Sequence, residues 1–262
     1  MKRMLLAGFA GSLTLAMPAF AASPFDGTWK GDVASAKLPE KPDVFLLRNG
    51  VYTCKTCVPP YSVKADGAFH PVKGQPYFDA ASVKVVDAHT TIETHRKKGK
   101  VMNTVTATVT PDGKTVHFVF KDMSPPNGKV VEVKGSQTLV APGPKGSHAT
   151  SGTWKNDKVE SVSDAGITMM LKDDGKSFTM TTPAAISYTA AYGGPAVPIK
   201  GDHGGTYAKV AKPDAHTIVE TDVRGGKTVG IYTMKIVSDG VMAITSEDTQ
   251  RGTKTEFTAK RQ

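Results

Sequence analysis

The chain is poor in the residues from which active sites and cofactor sites are usually built. Cysteine occurs twice, at Cys54 and Cys57, with no second pair to complete a four-cysteine zinc site. The histidines show no H-E-x-x-H spacing, and G-x-S-x-G, P-loop, dinucleotide and EF-hand motifs are absent. No metal, no cofactor and no catalytic residue is expected, and the chain is read as not an enzyme. Aromatic residues make up 7% of the sequence and tryptophan numbers two, so cores built largely from Val, Ile, Thr and Ala are expected. No window carries a sustained helical stripe with caps. Beyond the first residues no run is apolar enough to span a bilayer, so no transmembrane segment is expected.

What is present begins with an address. Lys2 and Arg3, an apolar stretch from Met4 to Met17 and the small-x-small site Ala19-Phe20-Ala21 read as a signal peptide over residues 1–21. The mature chain is expected to be periplasmic or secreted. Thirty-three Lys and Arg against twenty-four Asp and Glu leave a net charge of +9, or +7 once Lys2 and Arg3 depart with the leader. Residues 22–145 hold +6 of it and residues 146–262 hold +1. An exported chain of this balance meets anionic envelope polymers or lipids sooner than nucleic acid, so no nucleic-acid partner is expected.

The strongest signal is an internal duplication. Asp87-Ala88-His89-Thr90-Thr91-Ile92-Glu93-Thr94 returns as Asp214-Ala215-His216-Thr217-Ile218-Val219-Glu220-Thr221, and residues 61–118 match 188–245 at 18 of 58 ungapped positions. Both copies open alike, Gly27-Thr28-Trp29 and Gly152-Thr153-Trp154. Runs rich in Val, Thr, Ile and Phe alternate with turn dipeptides such as Asn49-Gly50, Lys98-Gly99, Asp112-Gly113 and Gly225-Gly226. The reading is all-β, with two tandem antiparallel meander modules forming barrels or half-barrels, each of roughly eight to ten short strands. Module one is placed at 24–140, a Pro/Gly-rich linker at 141–149 and module two at 150–262.

Gly-x-Trp on a first strand followed by a long β-meander resembles the lipocalin-type barrels. Gly27/Trp29 and Gly152/Trp154 take the motif positions. The resemblance implies a Trp plugging a closed end, a small apolar ligand at the open end, and an arginine from a late strand over the Trp. Arg251 or Arg261 could supply that arginine in module two, and only Lys129 or Lys134 stand in the matching stretch of module one. A closer likeness is to uncharacterised exported bacterial lipocalin-like proteins. They carry Gly-Thr-Trp, a Lys-Gly segment, an Asp-x-His/Asn-Thr turn and a Cys-Lys-x-Cys-Val-Pro-Pro stretch like that at Cys54–Pro60, and the likeness brings no activity with it.

Several residues merit a functional reading. Cys54 and Cys57 are expected to form a structural disulfide; a redox-active pair and a metal site with His70 are the alternatives. Their counterparts Thr181 and Ala184 mean that the fold does not require the bridge. His89 and His216 are expected in turns where the preceding Asp bonds its own backbone. Glu93 and His95 share one strand face, as do Glu220 and Asp222. Two polar residues so spaced are expected on a solvated face, with a pH-sensitive pair arising if that face is inside a barrel. Arg96, Lys97, Lys98 and Lys100 surround a hairpin tip and are candidate anion contacts, and the copy keeps only Arg224 and Lys227. The leading expectation is an exported binding protein for a small apolar ligand. The alternatives are an envelope protein gripping anionic polymer or lipid through the basic face of module one, and a thiol–disulfide protein using Cys54/Cys57.

Overall fold

The computed structural model describes residues 23–262, so the leader read over 1–21 lies outside the described residues. The chain is almost entirely β. The first copy supplies β1 (Gly27–Lys37), β2 (Asp43–Arg48), β3 (Val51–Cys54), β4 (Tyr61–Lys64) and β5 (Phe69–Pro71). It continues with β6 (Ala80–Val85), β7 (Thr90–Lys97), β8 (Lys100–Val109), β9 (Thr115–Asp122) and β10 (Val131–Pro142). The second copy repeats the ten as β11 (Gly152–Val162), β12 (Thr168–Asp173), β13 (Ser177–Thr181), β14 (Ser187–Ala191) and β15 (Val197–Pro198). It closes with β16 (Tyr207–Asp214), β17 (Thr217–Arg224), β18 (Lys227–Ser238), β19 (Val241–Asp248) and β20 (Thr253–Arg261). One helical turn, α1 (Asp164–Ile167), separates β11 from β12.

Period-two alternation selects the strand faces. Tyr61 and Val63 of β4 point inward while Ser62 and Lys64 face solvent, and on β16 Ala208 and Val210 are buried between exposed Tyr207, Lys209 and Ala211. Tight hairpins need positive φ at both central residues. Asn49 (52°) and Gly50 (71°) provide it between β2 and β3, Lys98 (50°) and Gly99 (82°) between β7 and β8, and Gly225 (56°) and Gly226 (77°) between β17 and β18.

The strands form two ten-stranded antiparallel sheets, each nearly closed into a barrel. One runs β4-β3-β2-β11-β10-β9-β8-β7-β6-β5 and the other β14-β13-β12-β1-β20-β19-β18-β17-β16-β15. The free edges of the first approach where Gly67 N–H donates to Val83 O at 2.9 Å. Those of the second meet at a Ser187–Lys200 bridge.

The sheets do not follow the two sequence copies. Each copy gives its first strand to the other barrel. β1 lies between β12 and β20, with Trp29 opposite Met169 on one side and Arg261 on the other. β11 lies between β10 and β2. Barrel one is therefore continuous from β2 to β11, and barrel two is β12 to β20 plus β1. The stretch 141–149, read as the linker, joins β10 to β11 within barrel one; the chain passes between barrels at residues 38–42 and at α1.

Cores follow the barrels. Phe25 and Trp29 are fully buried among Leu171, Phe178, Ile218 and Met242, all of the second copy. Trp154 packs with Val109 and Val116 of the first copy. The aromatics are few but concentrated inside, with Tyr52, Tyr61 and Phe78 in barrel one and Phe178 and Tyr188 in barrel two. Val, Ile and Ala, with Thr91, Thr150 and Thr206, still make up the largest share of the buried residues, as expected, and the rings are added at a few central positions.

Candidate functional site

The motif residues are structural. The indole N–H of Trp29 donates to Phe25 O at 2.8 Å and that of Trp154 to Thr150 O at 3.1 Å, the same four-residue closure in both copies. Gly27 has φ +125°, a conformation that L side chains rarely adopt. At Gly152 a Cβ would lie 2.8 Å from Ala141 O and from Leu139 Cδ1. The guanidinium of Arg261 sits 5.0 Å from the Trp29 ring. Strand exchange makes that pairing, because the arginine ends copy two and the tryptophan opens copy one.

Cys54 and Cys57 form a disulfide with sulfurs 2.04 Å apart. His89 and His216 occupy matched turns in which their N–H groups donate to Asp87 Oδ1 (2.8 Å) and Asp214 Oδ1 (2.7 Å), as read from the sequence. His70 bonds Asp66 and no group of metal-ligating side chains gathers around it; among the described residues no such group occurs at all.

The four basic residues at the β7–β8 tip divide. Arg96 stacks its guanidinium 3.6 Å from the Phe69 ring centroid. Lys97 Nζ donates to Pro76 O and to His203 O, joining the two barrels. Lys98 and Lys100 are exposed. On the matched hairpin Arg224 donates to Tyr77 Oη (2.5 Å) and Thr206 Oγ1 (2.8 Å), again across the junction. His203 Nε2 meets Ser124 O at 2.9 Å beside it.

The faces holding Glu93/His95 and Glu220/Asp222 point into the barrels, not to solvent as expected. His95 and Glu220 are buried. Sequence reasoning missed their tyrosines, Tyr61 and Tyr188, although they are identical at the same 127-residue offset. In barrel one Tyr61 and Tyr52 both donate to Glu93, Tyr52 at 3.1 Å to Oε2. His95 Nε2 lies 3.0 Å from Tyr61 Oη and 3.0 Å from Glu93 Oε1. Its Nδ1 lies 2.7 Å from Asn103 Oδ1, directly across the β7–β8 pair, and Phe78 stacks on the ring at 3.8 Å. No buried polar side-chain atom of this cluster lacks a partner. Burial, and then the Glu93 charge, push the Tyr61 and Tyr52 phenols well up, so both stay protonated donors.

Barrel two keeps the tyrosine and glutamate and loses the rest. Tyr188 Oη donates to Glu220 Oε2 at 2.6 Å. Asp222 stands where barrel one has His95, Gly230 where it has Asn103, and Phe178, which carries no hydroxyl, where it has Tyr52. Burial, and then the Asp222 charge, raise the Glu220 carboxyl well above the usual range. Burial raises Asp222 too, against the pull of Glu220 and Arg224. Asp222 Oδ1 is buried without a hydrogen-bond partner.

Both clusters border one cavity of about 750 Å³ where the barrels meet. Barrel one presents His95, Asn103, Val105 and Phe120 to it, and barrel two presents Glu220, Asp222 and a run of apolar side chains including Met169, Met180, Met234 and Phe257. The last four belong to, or pack against, the core of barrel two. The cavity is thus continuous with that barrel's interior. Among the described residues no helix is long and apolar enough to cross a membrane. Comparisons with protein-family models, with curated proteins and with solved structures find no match for the chain.

Proposed function

We propose that the chain is an exported, non-enzymatic binding protein that holds one small, largely apolar molecule in the cavity at the barrel junction. The observation that carries this reading is the cavity itself. About 750 Å³ falls within the range of small-molecule sites, roughly 300–1,000 Å³, and mostly apolar walls with a few convergent polar groups are their usual make-up. The lipocalin-like resemblance supports carriage, with one difference: two independent barrels would hold two ligands, and a shared junction holds one.

Native mass spectrometry of protein purified from an oxidising periplasm, compared with the denatured mass, tests the proposal together with a titration of fluorescent fatty-acid and retinoid-like probes. One ligand per chain is expected, with Val105→Trp weakening it about tenfold or more by filling the cavity. A bare native mass and no probe binding at saturation would overturn the reading, and two equivalent sites per chain would move it into the individual barrels.

A further inference from the structure

The two polar clusters at the junction are unequal in a way that points to the chemistry of the ligand. In barrel one Glu93 is answered by two phenols and a histidine, and that histidine by Asn103. In barrel two the matched Glu220 is 6% exposed, its Oε2 takes the Tyr188 hydroxyl, and its raised carboxyl shares a hydrogen bond with Asp222, so the pair is left with a charge that no histidine or second phenol among the described residues answers. Asp222, two residues along the same face, has a fully buried oxygen that accepts nothing. Both line the cavity, as do Asp122 and Asp202. Among the described residues the only basic side chains on the wall are His95 and His203. Arg224, whose charge acts on Asp222, gives a terminal nitrogen to Tyr77 and Thr206, and its Nε is buried without a partner. A chain of net charge +9 thus encloses an acidic pocket.

Buried carboxylates short of donors are costly, and a cation delivered to them in a low-dielectric site forms the stronger, charge-assisted class of hydrogen bond. The rest of the wall suits a hydrocarbon: Met169, Met180 and Met234 are flexible enough to close around chains of differing shape. We infer that the molecule held at the junction is an amphiphilic amine, its ammonium group on Glu220 and Asp222 and its apolar tail among the methionines and Phe257. This assignment rests on the binding function proposed above and names its ligand class.

Isothermal titration calorimetry of the full mature chain with a ten-carbon primary amine, the matched alcohol and the matched carboxylate separates the two levels. The expected result is amine affinity about tenfold or more above the alcohol, with the carboxylate weakest. In the double variant Glu220→Gln/Asp222→Asn the amine's advantage over the alcohol should disappear, with a cooperative thermal transition retained. Alcohol binding as tight as amine binding overturns the amine assignment and leaves the cavity reading standing. An amine preference that survives in the double variant overturns the assignment to these two carboxylates. No binding of any of the three probes overturns the cavity reading with it.

Discussion

A single residue difference sets the electrostatics of each barrel: at the position after the shared Glu-Thr, barrel one has His95 and barrel two has Asp222. Histidine can satisfy the neighbouring glutamate, whereas aspartate repels it. The consequence for stability has a definite sign. Glu220 has its carboxyl raised in the folded state, facing Tyr188 on β14, Tyr232 on β18 and Asp222 on its own strand, with Asp202 and Arg224 acting on Asp222. Between the ordinary carboxylate value and the raised one, the folded chain holds a proton that the unfolded chain has released. Stability therefore falls as pH rises through that window. Glu220→Gln should match the native protein in mild acid and melt higher at pH 9, by about 2–4 °C for each kcal/mol regained, readable by thermal circular dichroism. Tyr188→Phe should act oppositely at pH 9, where Glu220 is ionised, costing about 1–3 kcal/mol by removing the carboxylate's donor. In the Glu220→Gln background that cost should shrink, because an amide tolerates the loss of one donor better than a carboxylate.

At the scale of elements, β1 shows how far a sequence neighbour can lie from its structural unit. Trp29 is fully buried among residues of the second copy, so Trp29→Ala should cost about 3–5 kcal/mol. Hydrogen exchange locates the damage: amides of residues 168–261 should lose protection while those of β2–β10 keep theirs. Trp154→Ala should give the reverse. The Cys54–Cys57 bridge closes a loop of separation 3 at the end of β3. So short a loop constrains the unfolded chain little, and Cys54→Ala/Cys57→Ala should lower stability by about 2 kcal/mol or less in denaturant melts.

For the whole molecule, the exchange of first strands makes barrel one continuous and barrel two discontinuous. All buried residues of the barrel-one clusters lie between Leu47 and Trp154. A fragment of residues 39–166 should therefore fold alone, with cooperative unfolding and a β-sheet circular dichroism spectrum. A fragment of residues 163–262 lacks the strand between β12 and β20 and should stay unfolded or aggregate at the unpaired edges. Adding a peptide of residues 23–38 in trans should restore it. Folding of 163–262 without the peptide would mean that β1 is an accessory of barrel two and not a stave of it.

The sequence by itself determined the all-β class, the duplication, some eight to ten strands in each copy and the hairpin turns, because these are local: alternation, turn glycines and repeated residues act within a few positions of the chain. It also held the Tyr61/Tyr188 and Glu93/Glu220 identities, though nothing in strand periodicity says which of two faces is inside. Only the tertiary structure decided that face, because inside and outside are defined by curvature of the whole sheet. It alone decided that β1 and β11 change places, since a strand of one copy fits the matching slot of the other equally well in local terms. Which slot is filled depends on how 38–42 and α1 carry the chain between barrels. The cavity follows from the same cause. Its walls come from strands more than a hundred residues apart, and only the approach of the two barrels brings His95 and Glu220 to one space.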